Sequence, residues 1–236
     1  MNETKKNEAT QEVTIRPIAH IETDFPEKFG VPRQSGLGGA LKAKIVFEGP
    51  YRNPDALRGI EGFSHLWLIW DFSLSHTKRF SPTVRPPRLG GNSRMGVFAT
   101  RSPFRPNPLG LSSVRLVGVD WQTPEGPVLY VTGADLVSGT PIFDIKPYLP
   151  FTDSHPEAEG GFAEAAFGEK LSVSFPEALL SKFPPAKREG LLSLLAEDPR
   201  PAYQEEGRIY GFGFADKEIR FSVKDGVLSV LSVEKR

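Results

Sequence analysis

Pro103, Pro106 and Pro108 fall within six positions of one another, in a stretch running from Gly96 to Ser112. Each ring fixes φ and withholds a backbone N–H, which excludes this segment from a helix interior or a central strand. Residues 95–100 and 113–119 on either side nevertheless read as apolar strands. A chain that passes between strands through so stiff a connection is built mainly of β-structure. The same punctuation recurs along the sequence, with 22 prolines and 23 glycines in 236 residues, and it favours turns and short strands over long helices.

Further strands are expected at 13–21, 43–47 and 128–133. The run Leu66-Trp67-Leu68-Ile69-Trp70 is short and continuously apolar, as in a strand buried on both faces. Residues 75–92, rich in proline and arginine, read as a long loop. The chain becomes acidic and rich in small residues over 154–169, where a boundary is placed. Beyond it, residues 170–175 alternate like a strand, and Pro176 opens a helix reaching about Phe183. Helical spacing resumes after Pro184-Pro185, over 186–197. Residues 218–223 and 227–233, joined by Asp225-Gly226, form a hairpin signal. The expected architecture is mainly β, with a barrel rather than a doubly wound sheet. A polar tail (1–12) precedes a main domain (13–155) and a smaller α+β domain (165–236).

The chain has no cysteine, which removes disulfides, thiolate metal sites and cysteine-based covalent catalysis. His20, His65, His76 and His155 lack metal-ligand spacing, so no metal site is expected. No apolar run reaches membrane-spanning length, and the mixed-charge tail reads as disordered rather than as a signal peptide. A cytoplasmic location is the resulting expectation.

Formal net charge is zero, but its distribution is uneven. From Phe72 to Val119 there is no acidic residue, while Lys78, Arg79, Arg85, Arg88, Arg94, Arg101, Arg105 and Arg115 all fall inside. Arginine's planar fork suits phosphate and carboxylate recognition. Within this segment the proline-stiffened loop holds Arg101, Arg105 and Asn107 in place before a ligand arrives, which lowers the ordering cost of binding. A second rigid polar loop follows, comprising Asp135-Leu136-Val137-Ser138-Gly139-Thr140-Pro141 and Asp144-Ile145-Lys146-Pro147-Tyr148. Asp135 lies just past a strand end, where either a site residue or a turn-capping aspartate is at home. Gly36-Leu37-Gly38-Gly39 lacks dinucleotide-fold spacing and reads as a flexible turn.

These motifs carry a resemblance. Phe29–Gln34, Gly62-Phe63-Ser64-His65-Leu66-Trp67, Arg85-Pro86-Pro87-Arg88-Leu89-Gly90-Gly91-Asn92, Gly96–Ser112, Asp135–Pro141, Asp144–Pro150 and Asp198-Pro199-Arg200-Pro201-Ala202-Tyr203 together resemble the TsaA-like (TrmO) family of tRNA (adenine-N6)-methyltransferases. The likeness spans nearly the whole chain beyond the tail. It implies a β-barrel enzyme, not a Rossmann one, that works as a homodimer and uses S-adenosylmethionine. The implied substrate is N6-threonylcarbamoyladenosine beside the anticodon, in threonine tRNA, methylated on N6. Carried onto this sequence, the cofactor pocket involves Pro32, Arg33, Gln34, Ser73, Leu74, Arg101, Leu111, Asp135, Leu136, Val137 and Ser138. Two positions depart from the family pattern: Ser73-Leu74 stand in place of His-Gln, and Ser138 in place of a second aspartate.

Given that resemblance, Asp135 and Asp144 are the candidate general bases for a urea-type nitrogen whose lone pair is delocalised. Arg105, Lys146 and Arg88 are candidates to pair the threonyl carboxylate. Arg79, Arg85, Arg88 and Arg94 read as contacts to the anticodon-stem phosphates, with Asn107 and Arg200 also assigned to the RNA side. Tyr203, or an aromatic from the 67–72 strand, is a candidate to stack on a loop base, although core packing is the favoured role for Trp67 and Trp70. Two other readings fit the residues: a non-catalytic RNA-binding barrel, and a methyltransferase with a small-molecule or protein acceptor.

Overall fold

The computed structural model describes residues 12–37, 39–86, 93–165, 170–200 and 207–236. Six strands close into an antiparallel barrel: β1 (Ala19–Glu22), β2 (Lys42–Phe47), β3 (His65–Asp71), β6 (Leu109–Thr123), β7 (Gly126–Thr132) and β8 (Thr140–Pro147). Their order around the wall is β1-β2-β7-β6-β3-β8, and β8 returns to β1 through Ile21↔Thr140 and Ala19↔Ile142. Two short strands, β4 (Thr83–Val84) and β5 (Met95–Gly96), pair in the long connection between β3 and β6. The mainly-β barrel expected from the sequence is the fold observed.

Alternation fills the barrel. On β3, Leu66, Leu68 and Trp70 are buried while His65, Trp67, Ile69 and Asp71 are only half-buried. The strand is therefore a one-face-buried barrel wall, not the doubly buried strand its composition suggested. Aromatic and β-branched bulk on its outer face hides that parity in the sequence. Trp70 reaches across to β6, where its indole occupies the space beside Gly110. A Cβ at Gly110 would lie 2.2 Å from that ring, so the position tolerates only glycine.

Several expected elements differ. Residues 13–18 are not a strand; Val13 and Ile15 are exposed, and pairing begins only where Ile18 N–H reaches the Ile142 carbonyl. The expected strand at 95–100 is β5 followed by a 3-10 turn over Val97–Ala99. Residues 140–147, taken as part of a polar loop, are strand β8. Its polar and proline content obscured the alternation, and a bulge at Phe143 shifts its register against β3.

The C-terminal part is a four-stranded sheet ordered β10 (Ile209–Phe214), β11 (Lys217–Lys224), β12 (Val227–Lys235), β9 (Ser172–Ser174). The β11–β12 turn is formed by Asp225 and Gly226, both at positive φ, as the Asp-Gly hairpin signal requires. Strand β10 was missed because its Gly211 and Gly213 interrupt the apolar pattern. The described residues include four α-helices, α1 (Pro150–Asp153), α2 (Phe162–Ala165), α3 (Glu177–Leu180) and α4 (Pro185–Ala196), and short 3-10 turns between β2 and β3. The helix expected up to Phe183 ends at Leu180. Pro185 sits at the first turn of α4, where its missing N–H costs nothing. Leu191, Leu194 and Leu195 of α4 share a buried cluster with Phe212, Phe214, Ile219 and Phe221 of the sheet.

That second core takes in part of the first half of the chain. Phe25 and Leu41, from the β1–β2 connection, are buried within it, and Phe29 and Val31 pack against it. Polar contacts hold the same connection: Lys187 Nζ bonds to Asp24, Ala215 N–H donates to the Asp24 carbonyl at 2.7 Å, and Glu27 accepts from Gly213 N–H at 3.0 Å. Gly30, at φ +93°, sits flush against the Phe212 ring, where a Cβ would fall 2.2 Å from Cδ2. Gly59, at φ +87°, faces open space. Gly59→Ala therefore carries only the backbone cost of about 1–2 kcal/mol, whereas Gly30→Ala adds roughly 1–3 kcal/mol of overpacking. Urea unfolding of the two variants measures the difference, and equal losses would show that Phe212 moves aside.

Candidate active site

Because every barrel pairing is antiparallel, the connections leave from two rims. Ile21↔Thr140, Lys42↔Thr132 and Asp71↔Leu109 all lie near one of them. Residues 23–41, 72–108 and 133–139 therefore emerge together. These three connections hold Pro32, Arg33, Gln34, Ser73, Leu74, Arg101 and the stretch from Asp135 to Ser138, and Leu111 is the third residue of β6 from the same rim. Most of the acid-free arginine segment belongs to the second connection.

Asp135 is the chemical centre of this rim. Its Oδ1 accepts a 2.5 Å hydrogen bond from Ser112 Oγ, which in turn accepts the Trp70 indole N–H at 2.9 Å. Ser112 is 1% exposed and faces the barrel interior between Gly110 and Val114. Trp70 can only donate, so it fixes the direction of the chain: indole to hydroxyl to carboxylate. Burial raises the Asp135 pKa above the ordinary aspartate value. The Ser112 bond, the residue's own backbone, the Arg101 charge and the Ser35 backbone N–H oppose that rise without cancelling it. A carboxyl placed this way binds a proton more tightly than a solvated one.

Around it, Arg101 Nη1 donates to Gln34 Oε1 at 2.5 Å, joining the first and second connections. Gly36 N–H donates to the Gly133 carbonyl at 2.8 Å, joining the first and third. Arg33 turns toward the C-terminal part, donating from Nη2 to the backbone carbonyls of Asp198 (3.1 Å) and Arg200 (2.5 Å). Arg200 holds the Asp198 carboxylate by two bonds of 2.8 Å. The Leu74 carbonyl accepts from Lys28 Nζ, while the Ser73 and Leu74 side chains are exposed. Leu136 is buried and Val137 half-buried; Ser138 Oγ accepts from Thr23 N–H at 3.2 Å. Leu111 is 58% exposed.

The second candidate base lies elsewhere. Asp144 pairs in register with Ile69, on the outer face of the wall, and its carboxylate bonds to Lys146 at 3.0 Å. Lys146 is further from the rim, opposite Trp67. The structure thus does not bring Asp144 or Lys146 together with Asp135. Arg79, Arg85, Arg94 and Asn107 are exposed, with Arg94 Nη1 bonding Thr83 Oγ1 at 3.0 Å. Arg105 Nη1 is bonded to the carbonyls of Val97 (3.2 Å) and Thr100 (2.6 Å). Arg88 and Tyr203 lie outside the described residues. Trp67 donates to Asp153 Oδ2 at 2.8 Å and leans on Tyr148, and Trp70 is buried, so both have packing roles.

Sequence reasoning missed Ser112 and Trp70 as partners of Asp135. A detectable signal existed: Ser112 is polar at the inward parity of an alternating strand, where it needs a buried partner. Among the described residues no group of three potential metal ligands converges, and no helix is long and apolar enough to cross a membrane.

Residues 20–154 match the tRNA-methyltransferase O N-terminal domain family, and residues 168–236 match the TrmO C-terminal domain family. An Escherichia coli protein named tRNA (adenine(37)-N6)-methyltransferase is 43% identical over 93% of this chain and 97% of its own length. A Pseudomonas aeruginosa relative, 38% identical over 88% of this chain and 91% of its own, bears a name that proposes S-adenosylmethionine-dependent methyl transfer. A crystal structure of TrmO from Pseudomonas aeruginosa superimposes with a TM-score of 0.78 at 31% identity, over 98% of this chain and 100% of that one. The chain belongs to the tRNA-methyltransferase O family.

Proposed function

We propose that this protein is an S-adenosylmethionine-dependent tRNA methyltransferase that places a methyl group on N6 of N6-threonylcarbamoyladenosine next to the anticodon, in threonine tRNA. It acts as a homodimer in the cytoplasm. The observation that carries the reading is the meeting at one rim of a partly buried carboxyl, a guanidinium–amide pair and an acid-free arginine loop. It is supported by 43% identity over 93% of the chain to the Escherichia coli tRNA (adenine(37)-N6)-methyltransferase.

The rim's donor set fits the cofactor. Arg101 offers a cation to an α-carboxylate, exposed Leu111 an apolar face to a purine, and Gln34 and the backbone of 135–138 offer polar contacts. Asp135 has a burial cost that a nearby sulfonium or ammonium would relieve. S-adenosylmethionine supplies an already activated methyl group, so the protein needs no covalent nucleophile. What remains for this chain is to orient the acceptor nitrogen and remove its proton; orientation alone accounts for about 7–11 kcal/mol of barrier in favourable cases. Asp135 is the general base in this reading. Its raised pKa strengthens it as a proton acceptor, and the Trp70–Ser112 chain fixes the orientation of its carboxylate through Oδ1. Asp144, tied to Lys146 on the outer wall, is not assigned a role in proton transfer.

Labelled S-adenosylmethionine and two batches of threonine tRNA, with and without threonylcarbamoyladenosine, test the reaction. Nucleoside mass analysis is expected to show methyl gain only on the modified adenosine; gain on neither batch, with cofactor binding intact, would favour a different acceptor. Asp135→Asn keeps the Ser112 bond and is expected to slow methyl transfer by about 10²-fold or more. The same variant tests the pKa. A raised folded-state value makes wild type lose stability relative to Asp135→Asn as pH rises from about 3.9 through the shifted value, then level off. Parallel stability curves from pH 3 to 8 would refute the shift. Arg79→Ala and Arg85→Ala should each reduce the salt slope of tRNA affinity by roughly one phosphate contact, leaving cofactor affinity unchanged. Unaltered slopes would remove these arginines from the RNA surface.

A further inference from the structure

Three phenylalanines in the arginine segment, Phe80, Phe98 and Phe104, are exposed, and the first two lie together. Phe98 is 73% exposed and Phe80 56% exposed, and their rings lie near-parallel, 26° apart in plane with centroids 6.4 Å apart. Exposure on this scale forgoes the burial free energy of two large rings, and an exposed apolar cluster on an otherwise charged surface marks an interaction site. The turn that carries Phe98 is tied down. Phe98 is the middle residue of the 3-10 turn Val97–Ala99, whose Val97 side chain is 1% exposed. Val97 N–H bonds to the Pro82 carbonyl at 3.0 Å, and β4–β5 pairing holds the two arms of the connection together. Arg105 clamps the turn from the other side, through the Val97 and Thr100 carbonyls, and its Cζ lies 5.9 Å from the Phe98 ring centroid.

A solvent-facing ring on an anchored turn, beside a second exposed ring and in a segment with exposed Arg79, Arg85 and Arg94 and no acidic residue from 72 to 119, matches the requirements of single-stranded RNA. Unpaired bases stack on aromatic faces while arginines take the neighbouring phosphates. Of the other aromatics proposed for this role, Trp70, Trp67 and Phe72 are committed to the fold, and Tyr203 lies outside the described residues. We propose that Phe98, backed by Phe80 and braced by Arg105, is a stacking platform for an unpaired nucleobase of the tRNA loop that carries the target adenosine. The inference rests on the tRNA reading above. It also recasts Arg105 as the brace of the platform, in place of the threonyl-carboxylate contact suggested by its sequence position.

The test measures binding of threonine tRNA to the full-length protein and its Phe98→Ala and Phe98→Trp variants across a salt series, with sedimentation of each. Phe98→Ala is expected to weaken tRNA binding by about 5- to 150-fold, the range for loss of one base–aromatic stack. Its salt slope and S-adenosylmethionine affinity should match wild type, and Phe98→Trp should restore binding. Replacing the stacked loop base by an abasic residue should abolish the difference between wild type and Phe98→Ala. Wild-type tRNA affinity for Phe98→Ala overturns the platform while leaving the tRNA reading standing. A change of oligomeric state in Phe98→Ala assigns the face to a second copy of the chain and also overturns it. Failure of the wild-type protein itself to bind or methylate threonine tRNA removes both.

Discussion

Closure of the barrel depends on β1, a strand of only four residues that bonds to β2 on one side and β8 on the other. A closed antiparallel ladder satisfies every strand's backbone groups and leaves no edge to aggregate. It also divides the connections between two rims. The three connections carrying most of the implied cofactor residues all fall at the same rim, although about a hundred positions separate Pro32 from Ser138. The candidate site is therefore a consequence of topology before it is a matter of side chains.

The side chains then differentiate that rim. Inside it, a tryptophan that can only donate, a serine that both accepts and donates, and a partly buried carboxyl form a polar chain with one sense of polarity. Outside it, Arg79, Arg85 and Arg94 face water, and Phe80 and Phe98 stand exposed. The inner chain suits proton chemistry that needs a low dielectric, and the outer surface suits a polyanion that arrives with its own solvent and counterions. A buried network and a solvated cationic surface demand opposite environments, and the barrel wall separates them.

The C-terminal sheet adds a constraint on the same rim. Its core takes in Phe25 and Leu41 and presses Phe212 onto Gly30, so the connection bearing Pro32, Arg33 and Gln34 is anchored from outside the barrel. Arg33 extends the tie to the carbonyls of Asp198 and Arg200. A loop of this length would otherwise lose considerable conformational entropy on binding a ligand. Packing it against a second hydrophobic core moves that cost into folding.

Local chemistry alone determined a good deal of this protein. Proline spacing dictated the irregular connection up to Pro108, although strand β6 begins at Leu109, inside the segment the prolines were expected to exclude, and runs for 15 residues. Asp225-Gly226 dictated the hairpin, and the absence of acids from 72 to 119 marked a cationic segment, since each depends only on neighbouring residues. Proline and glycine also concealed structure: they disguised β8 as a loop and hid β10, because alternation is read from side chains while pairing is decided by backbone partners distant in sequence. Which carboxylate lies at the candidate rim was likewise a tertiary matter. Asp135 and Asp144 sit nine positions apart in similar surroundings of sequence. Only the register of β8 against β3 turns Asp144 outward to Lys146, and only closure of the wall sets Asp135 beside Ser112. Burial, which raises the pKa of Asp135, is a property of the assembled core.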